Sequence, residues 1–448
     1  MLPTLHQQRD ALREKRVTSL SLTEAALARA QDEAGEGARV FTRLYGAAAL
    51  AEARAADLLR AAGIERSAID GLPISIKDLF DVRGEPTLSG SIARRAEAPA
   101  SADAEVVRRL RAAGAVIVGK TNMSEFAYSG LGLNPHYGTP ANPWDRASGR
   151  IPGGSSSGAA VSVSDGMAVA AIGSDTGGSV RIPSALCGLT GFKPSAQRVS
   201  MQGVLPLSAS LDSIGPLAAS VRCCITLDAI LSGEPSDAVQ PLPLAGLRLA
   251  VPATVALDDL DAEVSQAFEA ALARLSRAGV RIESLAIPEF AELADINAQG
   301  GFTAAEAYAW HRELLQRQGE RYDPRVRTRI LRGQAISAAD YLDLLQRRRD
   351  WIAAVQARIA PFDALVMPTT AGIAPPIAPL AADDALFAAT NMRMLRNCTF
   401  INFLDGCALS LPCHAPGSAP VGLMLAGANG SDRRMLAIGL AVEAALAA

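Results

Sequence analysis

Aromatic residues are scarce in this sequence: Phe, Trp and Tyr together make up 4% of its 448 residues. A chain so short of rings cannot build its interior from stacked aromatics, so the core has to come mainly from Ala, Leu, Val and Ile. Net charge is nearly absent as well, at −3 with charged residues at 20%, which excludes both a disordered polyelectrolyte and a protein that grips nucleic acid by charge. A small-molecule partner is expected. Cysteines are few, and the six at 187, 223, 224, 398, 407 and 413 show neither CxxC pairs nor the dense spacing of a disulfide-stapled secreted chain. Free buried thiols follow. The first ten residues contain no apolar stretch that could serve as a signal peptide, so a cytoplasmic location is the expectation. One uncharged run, 406–431, is long enough to span a bilayer, but Pro412, Pro416 and Pro420 interrupt it. It reads as buried strands and loops, with no membrane involved.

What is present is glycine and proline, 38 and 26 of them, scattered between short apolar segments as in a layered α/β protein. The length leaves room for one large domain or about two to three smaller ones. Residues 1–65 read as outer helices, with capping-box spacing in Ser21-Leu-Thr-Glu24 and an Ala-rich run over 47–62. From Gly71 the texture changes to short strands between glycine-rich loops, beginning with 72–77. A helix over 104–113, a stop at Gly114 and a strand over 115–118 form half of a crossover unit. Segments 246–251, 261–277 and 280–285 repeat the order strand, helix, strand. The expectation is a largely parallel or mixed sheet covered by helices. Two arginine-rich helices, about 303–318 and 337–359, are expected outside the sheet, with His311 solvated on the first. No repeat, low-complexity linker or domain boundary interrupts the chain.

Three motifs compete for the chemistry. Gly114-Ala-Val-Ile-Val-Gly-Lys-Thr121 matches the phosphate-loop pattern, yet the glycines of such a loop must follow a strand and open a helix, whereas here Ala-Val-Ile-Val is itself the strand. Gly154-Ser-Ser-Ser-Gly158 matches a nucleophile elbow centred on Ser156, but 148–153 cannot form the strand that an elbow must end. Of the later histidines, neither His311 nor His414 is placed to complete such a triad. The third reading takes 151–194 as a whole. There, Gly153-Gly-Ser-Ser-Ser-Gly158 and Gly173-Ser-Asp-Thr-Gly-Gly-Ser-Val-Arg-Ile-Pro183 put two serine-bearing glycine loops around a helix and a strand. Such loops bring backbone N–H groups and hydroxyls close to a ligand, as stabilising a tetrahedral oxyanion requires.

These residues resemble the amidase signature family. Pro73-Ile-Ser-Ile-Lys77-Asp, Gly153-Gly-Ser-Ser, Gly173-Ser-Asp-Thr-Gly-Gly-Ser-Val-Arg-Ile-Pro-Ser and Gly191-Phe-Lys-Pro stand in the family's order, with the family's interval between Ser155 and Ser179. Gly119-Lys-Thr-Asn-Met-Ser-Glu-Phe-Ala, Asn142-Pro-Trp, Asp212-Ser-Ile-Gly-Pro216 and Pro420-Val-Gly-Leu are similar to it too. The likeness is dense over 71–216 and thinner elsewhere, and the fifth place of the first loop is Ser157 where the family usually has Gly. Ser157 is then expected to cap the following helix.

The resemblance implies a single α/β/α domain over 1–448 with a large mixed sheet covered by helices, with outer helices to about 65, a signature core over 66–220 and a variable substrate-side and C-terminal part from 221. It implies Ser179 as nucleophile, Ser155 on a cis peptide as proton relay and Lys77 as base, with Thr176, Gly177, Gly178 and Ser179 supplying oxyanion N–H groups. Such a base must be a neutral amine, and Ile74 and Ile76 beside Lys77 suggest a strand entering the interior, where burial disfavours the ammonium form. Asp175 is expected to orient the loop, Arg181 to be structural, Tyr128 to lie near the acyl pocket, and 286–400 to line the leaving-group side. The implied activity is hydrolysis of a carboxamide C–N bond through an acyl-enzyme, with no metal or organic cofactor. The partner is then a small amide, with no nucleic acid unless the chain is instead the glutaminase component of a tRNA-dependent amidotransferase; a homodimer is one option for its assembly.

Overall fold

The computed structural model describes residues 2–234 and 239–447. Met1, 235–238 and Ala448, part of the expected single-domain span, lie outside the described residues. Eleven strands form one mixed sheet: β1 (Phe41–Leu44), β2 (Pro73–Lys77), β3 (Val116–Thr121), β4 (Ala170–Asp175), β5 (Thr190–Lys193), β6 (Ser213–Ala218), β7 (Arg248–Pro252), β8 (Arg281–Leu285), β9 (Ala364–Pro368), β10 (Cys407–Pro412) and β11 (Gly422–Gly427). Their order across the sheet is β1-β3-β2-β4-β6-β5-β10-β11-β9-β7-β8. Two parallel groups, β3-β2-β4 and β9-β7-β8, flank antiparallel strands.

Alternation of side chains along the strands sends one set to each face. Leu423 and Leu425 of β11 join a core with Ile74, Ile76, Phe192 and helix residues Leu227 and Leu436, while Met424 and Ala426 join a second core with Phe290, Trp351, Phe400 and Phe403. Both faces of the sheet are therefore covered. The few aromatics are divided between the two cores; in the second, Phe290 stacks on Phe400 with centroids 3.9 Å apart and Trp351 meets Phe403 edge-on at 5.1 Å. They brace the long helix Asp384–Phe403, which reaches the candidate site.

Several expectations need correction. The N-terminal region contains a strand, β1, which pairs antiparallel with β3. The second helix starts at Ser19 rather than after Ser21, with Thr18 as cap, because Asp57 of a neighbouring helix already accepts the N–H groups of Ser19 and Leu20. Ser157 does not cap its helix; it is the first helical residue, and its hydroxyl donates to the Asn122 carbonyl. His311 is fully buried rather than solvated, 2.9 Å from the Tyr322 hydroxyl and edge-on to Phe126. Burial, with the nearby Arg94 charge, lowers its pKa to about 3. The false phosphate loop is β3 itself, preceded by the helix Glu105–Ala112. All six cysteines are unpaired, five of them buried, and among the described residues no helix is long and apolar enough to cross a membrane.

Candidate active site

Parallel pairing of β2 with β4 puts the carboxyl ends of both strands side by side, the usual place for ligands in such sheets. Ile74, Ser75 and Ile76 register with Ala170, Ala171 and Ile172, so Lys77 emerges next to Ser174. All five residues of β2 are buried. The Lys77 amine lies 2.7 Å from Ser155 Oγ and 2.9 Å from Ser174 Oγ, with the Ser174 carbonyl at 3.5 Å. Burial pulls its pKa down to about 7 against the opposing pull of Asp175 and Asp212. A neutral amine has two N–H donors and one lone pair. Ser174 offers two acceptors, its hydroxyl and its carbonyl, which leaves the lone pair for the Ser155 hydroxyl. Ser174 lies in the glycine-rich segment 173–183, but only strand pairing reveals that it holds the lysine.

Ser155 is reached by a cis peptide bond from Gly154. Its loop is pinned from outside: Ser124 N–H donates to the Ser155 carbonyl at 3.0 Å and Gly154 N–H to the Gly130 carbonyl at 2.8 Å. Gly132 sits at φ 86°, and a Cβ there would fall 2.4 Å from the Gly153 carbonyl oxygen, so any larger residue would push the loops apart. Ser156, the elbow candidate, is buried, with its hydroxyl on the Ser174 carbonyl.

Ser179 is 2% exposed, and its hydroxyl makes no hydrogen bond among the described residues. Asp175, at the end of β4, shapes the loop that carries it. The carboxylate accepts N–H groups from Gly178 at 2.8 Å and Val180 at 3.1 Å, the Arg181 guanidinium at 2.9 and 3.0 Å, and Asn402 Nδ2 at 2.9 Å. Burial alone would raise this carboxyl, but the charge and hydrogen bonds of Arg181 hold it well below the usual carboxylate range. Because Gly178 N–H is spent on Asp175, the loop N–H groups left without a partner among the described residues are those of Thr176, Gly177 and Ser179. Gly178 itself has φ 122°, and a Cβ there would lie 2.6 Å from Cys398 Cβ. The loop thus presses directly on the helix Asp384–Phe403.

Arg181 is fully buried, and its guanidinium lies on Asp175, on Asn402 Oδ1 at 2.6 Å and on the Cys398 carbonyl at 3.1 Å. Removing one partner of a buried pair leaves the other charge uncompensated. Arg181→Leu is expected to destabilise the protein by about 3–5 kcal/mol, read as a lower denaturant midpoint, and Asp175→Asn in the same chain should recover part of the loss.

The helix Asp384–Phe403 presents Phe387, Asn391, Leu395, Cys398 and Asn402 along one face, at helical spacing. Asn391 Oδ1 accepts Gly130 N–H at 2.8 Å and the Ser129 hydroxyl at 3.1 Å, and Leu395 lies against both Gly130 and Gly177. Tyr128, half-buried two residues before Gly130, lies under the Arg329 guanidinium at 5.1 Å, which also covers Phe387 at 5.6 Å. One terminal nitrogen of Arg329 is buried with no hydrogen-bond partner. Eight residues of helix, about 12 Å, separate Phe387 from Leu395. Arg329 and Asn402 carried no signal in the sequence. A cavity of about 630 Å³ opens beside the loop and is lined in part by Asp212 and Glu306, not by Ser179. Among the described residues no group of three His, Cys, Asp or Glu side chains is arranged to hold a metal.

The Amidase family model matches residues 21–436. The chain is 36% identical over 444 residues to the 2-amino-5-chloromuconic acid deaminase of Comamonas testosteroni, covering 97% of this chain and 94% of that one. It is 34% identical to a glutamyl-tRNA(Gln) amidotransferase subunit from Roseiflexus sp. (strain RS-1), covering 98% and 96%. A crystal structure of an amidase superposes with a TM-score of 0.88 at 34% identity, covering 98% of this chain and 99% of that one. With the match running through both serine loops and the whole sheet, the chain belongs to the Amidase family, enzymes that hydrolyse amide C–N bonds.

Proposed function

We propose that Ser179 is the nucleophile of an amidohydrolase, with Ser155 as relay and Lys77 as base. The observation that carries this reading is the buried Lys77 amine 2.7 Å from Ser155 Oγ, at the strand end next to the loop bearing Ser179. Ser179 Oγ attacks the carbonyl carbon as its proton passes to Ser155 Oγ and the Ser155 proton passes to Lys77 Nζ. The oxyanion is received by the free N–H groups of Thr176, Gly177 and Ser179. Collapse breaks the C–N bond, and the amine or ammonia leaves with the proton returned from Lys77 through Ser155. Water then cleaves the Ser179 ester by the same relay, restoring the enzyme.

In this reading the substrate is a small carboxamide whose acyl part rests on Tyr128 and which carries a carboxylate for Arg329. The unpartnered guanidinium nitrogen supports that choice, as does the similarity to an enzyme named for an acid. A panel of amides assayed for ammonia release tests it, including glutamine, succinamate-like acids, aryl amides and short peptide amides. Arg329→Gln is expected to raise KM about tenfold for a carboxylate-bearing amide and to leave a neutral amide within about twofold; equal effects on both would refute the role of Arg329. The second reading, the glutaminase component of an amidotransferase, is favoured by the full-length similarity to the glutamyl-tRNA(Gln) amidotransferase chains. Glutamine hydrolysis that appears only with partner proteins and supports tRNA amidation would establish it instead.

The continuous sheet supports treating 1–448 as one domain, with outer helices to about 65, the signature core to about 220 and the substrate side beyond. Six unpaired cysteines support a reducing, cytoplasmic setting.

A further inference from the structure

The loop 205–212 and the helix Gly301–Gln318 stand outside the two serine loops, yet hydrogen bonds connect them to the loop of Ser179. Thr176 Oγ1 donates to Asp212 Oδ1 at 2.5 Å, and Asp212 Oδ2 accepts the N–H groups of Leu207 at 3.0 Å and Ser208 at 3.1 Å. Asp212 thereby fixes its own loop and Thr176 together. That loop is held in turn by Glu306, whose carboxylate accepts the Ser208 hydroxyl at 2.6 Å, Ser210 N–H at 3.0 Å, the Ser210 hydroxyl and the Tyr341 hydroxyl at 2.7 Å. Tyr341 comes from a further helix, Ala338–Ile359. Four elements distant in sequence are thus joined in one chain that ends on a residue with a free oxyanion N–H.

We propose that Glu306 and Asp212 are positioning residues for the oxyanion loop, Glu306 acting through loop 205–212 and Asp212 through the Thr176 hydroxyl. Oxyanion donors are effective only when preorganised at the place where charge develops, and small misplacements are expensive. The Asp175–Thr176 peptide is held at its carbonyl by the Ser213 hydroxyl at 3.0 Å and Asn402 Nδ2 at 3.1 Å; the Thr176 hydroxyl adds the tie at residue 176 itself, while the Asp175 carboxylate grips the loop farther on, at Gly178 and Val180. The chain also forms part of the wall of the 630 Å³ cavity, which Asp212, Ser210, Glu306 and Tyr341 all line. Helices outside the serine loops can in this way set the geometry of the oxyanion loop.

The proposal rests on Ser179 being the nucleophile, and phosphonylation by a fluorophosphonate separates the two failures because it needs no amide substrate. If the wild-type protein does not label at Ser179, the active-site reading fails. If it labels, Thr176→Val and Glu306→Gln are each expected to slow labelling about 10- to 100-fold, and the double variant to be no slower than the slower single one, because both cut the same chain. Thr176→Ser, which keeps the hydroxyl, should return to within about threefold of wild type, and Tyr341→Phe, which removes only the outermost bond, should lose about two- to fivefold. With an amide substrate the loss should fall on kcat with KM little changed, as for an interaction made in the transition state. Wild-type labelling rates in Tyr341→Phe and Thr176→Val, or multiplicative losses in the double variant, would overturn the relay.

Discussion

Ser179→Ala is expected to lower kcat/KM by about 10⁴-fold or more, about 5.5 kcal/mol of transition-state stabilisation, and to abolish labelling by a fluorophosphonate. The loop geometry makes this the largest single effect in the protein. Asp175, Arg181 and Asn402 hold the loop with no help from the Ser179 side chain, so the alanine variant should keep its fold and its melting temperature while losing the attacking atom. Ser155→Ala is expected to fall nearly as far, because the proposed proton path from Ser179 to Lys77 runs through its hydroxyl, and residues that act as a unit are not additive. The triple variant with Lys77→Ala should therefore be little worse than Ser179→Ala alone. Labelling that survives Ser179→Ala and moves to Ser156 would show that the wrong hydroxyl has been assigned.

The second large effect concerns pH. In the proposed mechanism Lys77 acts as a base only when neutral, and burial, which disfavours the ammonium form, lowers its pKa to about 7. From about pH 5 to pH 7, kcat/KM should rise about tenfold per pH unit and then level off. Lys77→Arg should be inactive throughout this range, since a guanidinium does not release its proton. The same ionisation appears in stability with a definite sign. In the unfolded chain the amine has its ordinary value of 10.5, so between about pH 7 and 10.5 the unfolded state binds a proton that the native state does not. Stability then rises with pH across that window. Below pH 7 both states are protonated and the slope vanishes. Compared with Lys77→Met, whose side chain does not titrate, the wild-type protein should gain up to about 5 kcal/mol over the window. Parallel stability curves for the two proteins between pH 7 and 10 would show that Lys77 is charged in the native state, and the proton path through Ser155 would lose its base.

Much of this site was legible before any fold was known. Lys77, Ser155 and Ser179 stand in motifs whose residue types have few other uses, and the structure brings Lys77 to Ser155 in a buried setting. The neutralising burial of Lys77 was also readable, from Ile74 and Ile76 on either side of Ser75. Other features were not. Ser157 looked like a cap because it starts a helix, but the carbonyl of Asn122, 35 positions away, captured its hydroxyl. His311 looked solvated because its neighbours on the helix are charged, and the sequence does not show that Phe126 and Tyr322 close over it. Gly178 looked like an oxyanion donor by position, but its N–H points to Asp175.

By itself the sequence determined the amidase class of the chain and the layered class of the fold, because both depend on local order: a lysine ending an apolar strand, serines inside glycine loops, short apolar segments alternating with helices. Even the scarcity of aromatics was informative, since the large core had to be aliphatic. What the tertiary structure alone decided is how the rings are divided between the two cores, and which distant groups pack around the serine loops. Asn402 on Asp175, Glu306 on the loop of Asp212 and Arg329 over Tyr128 each depend on the packing of elements more than 90 residues apart. No periodicity or motif encodes such contacts, because they arise from the order in which strands enter the sheet and from the angle at which each covering helix lies across it.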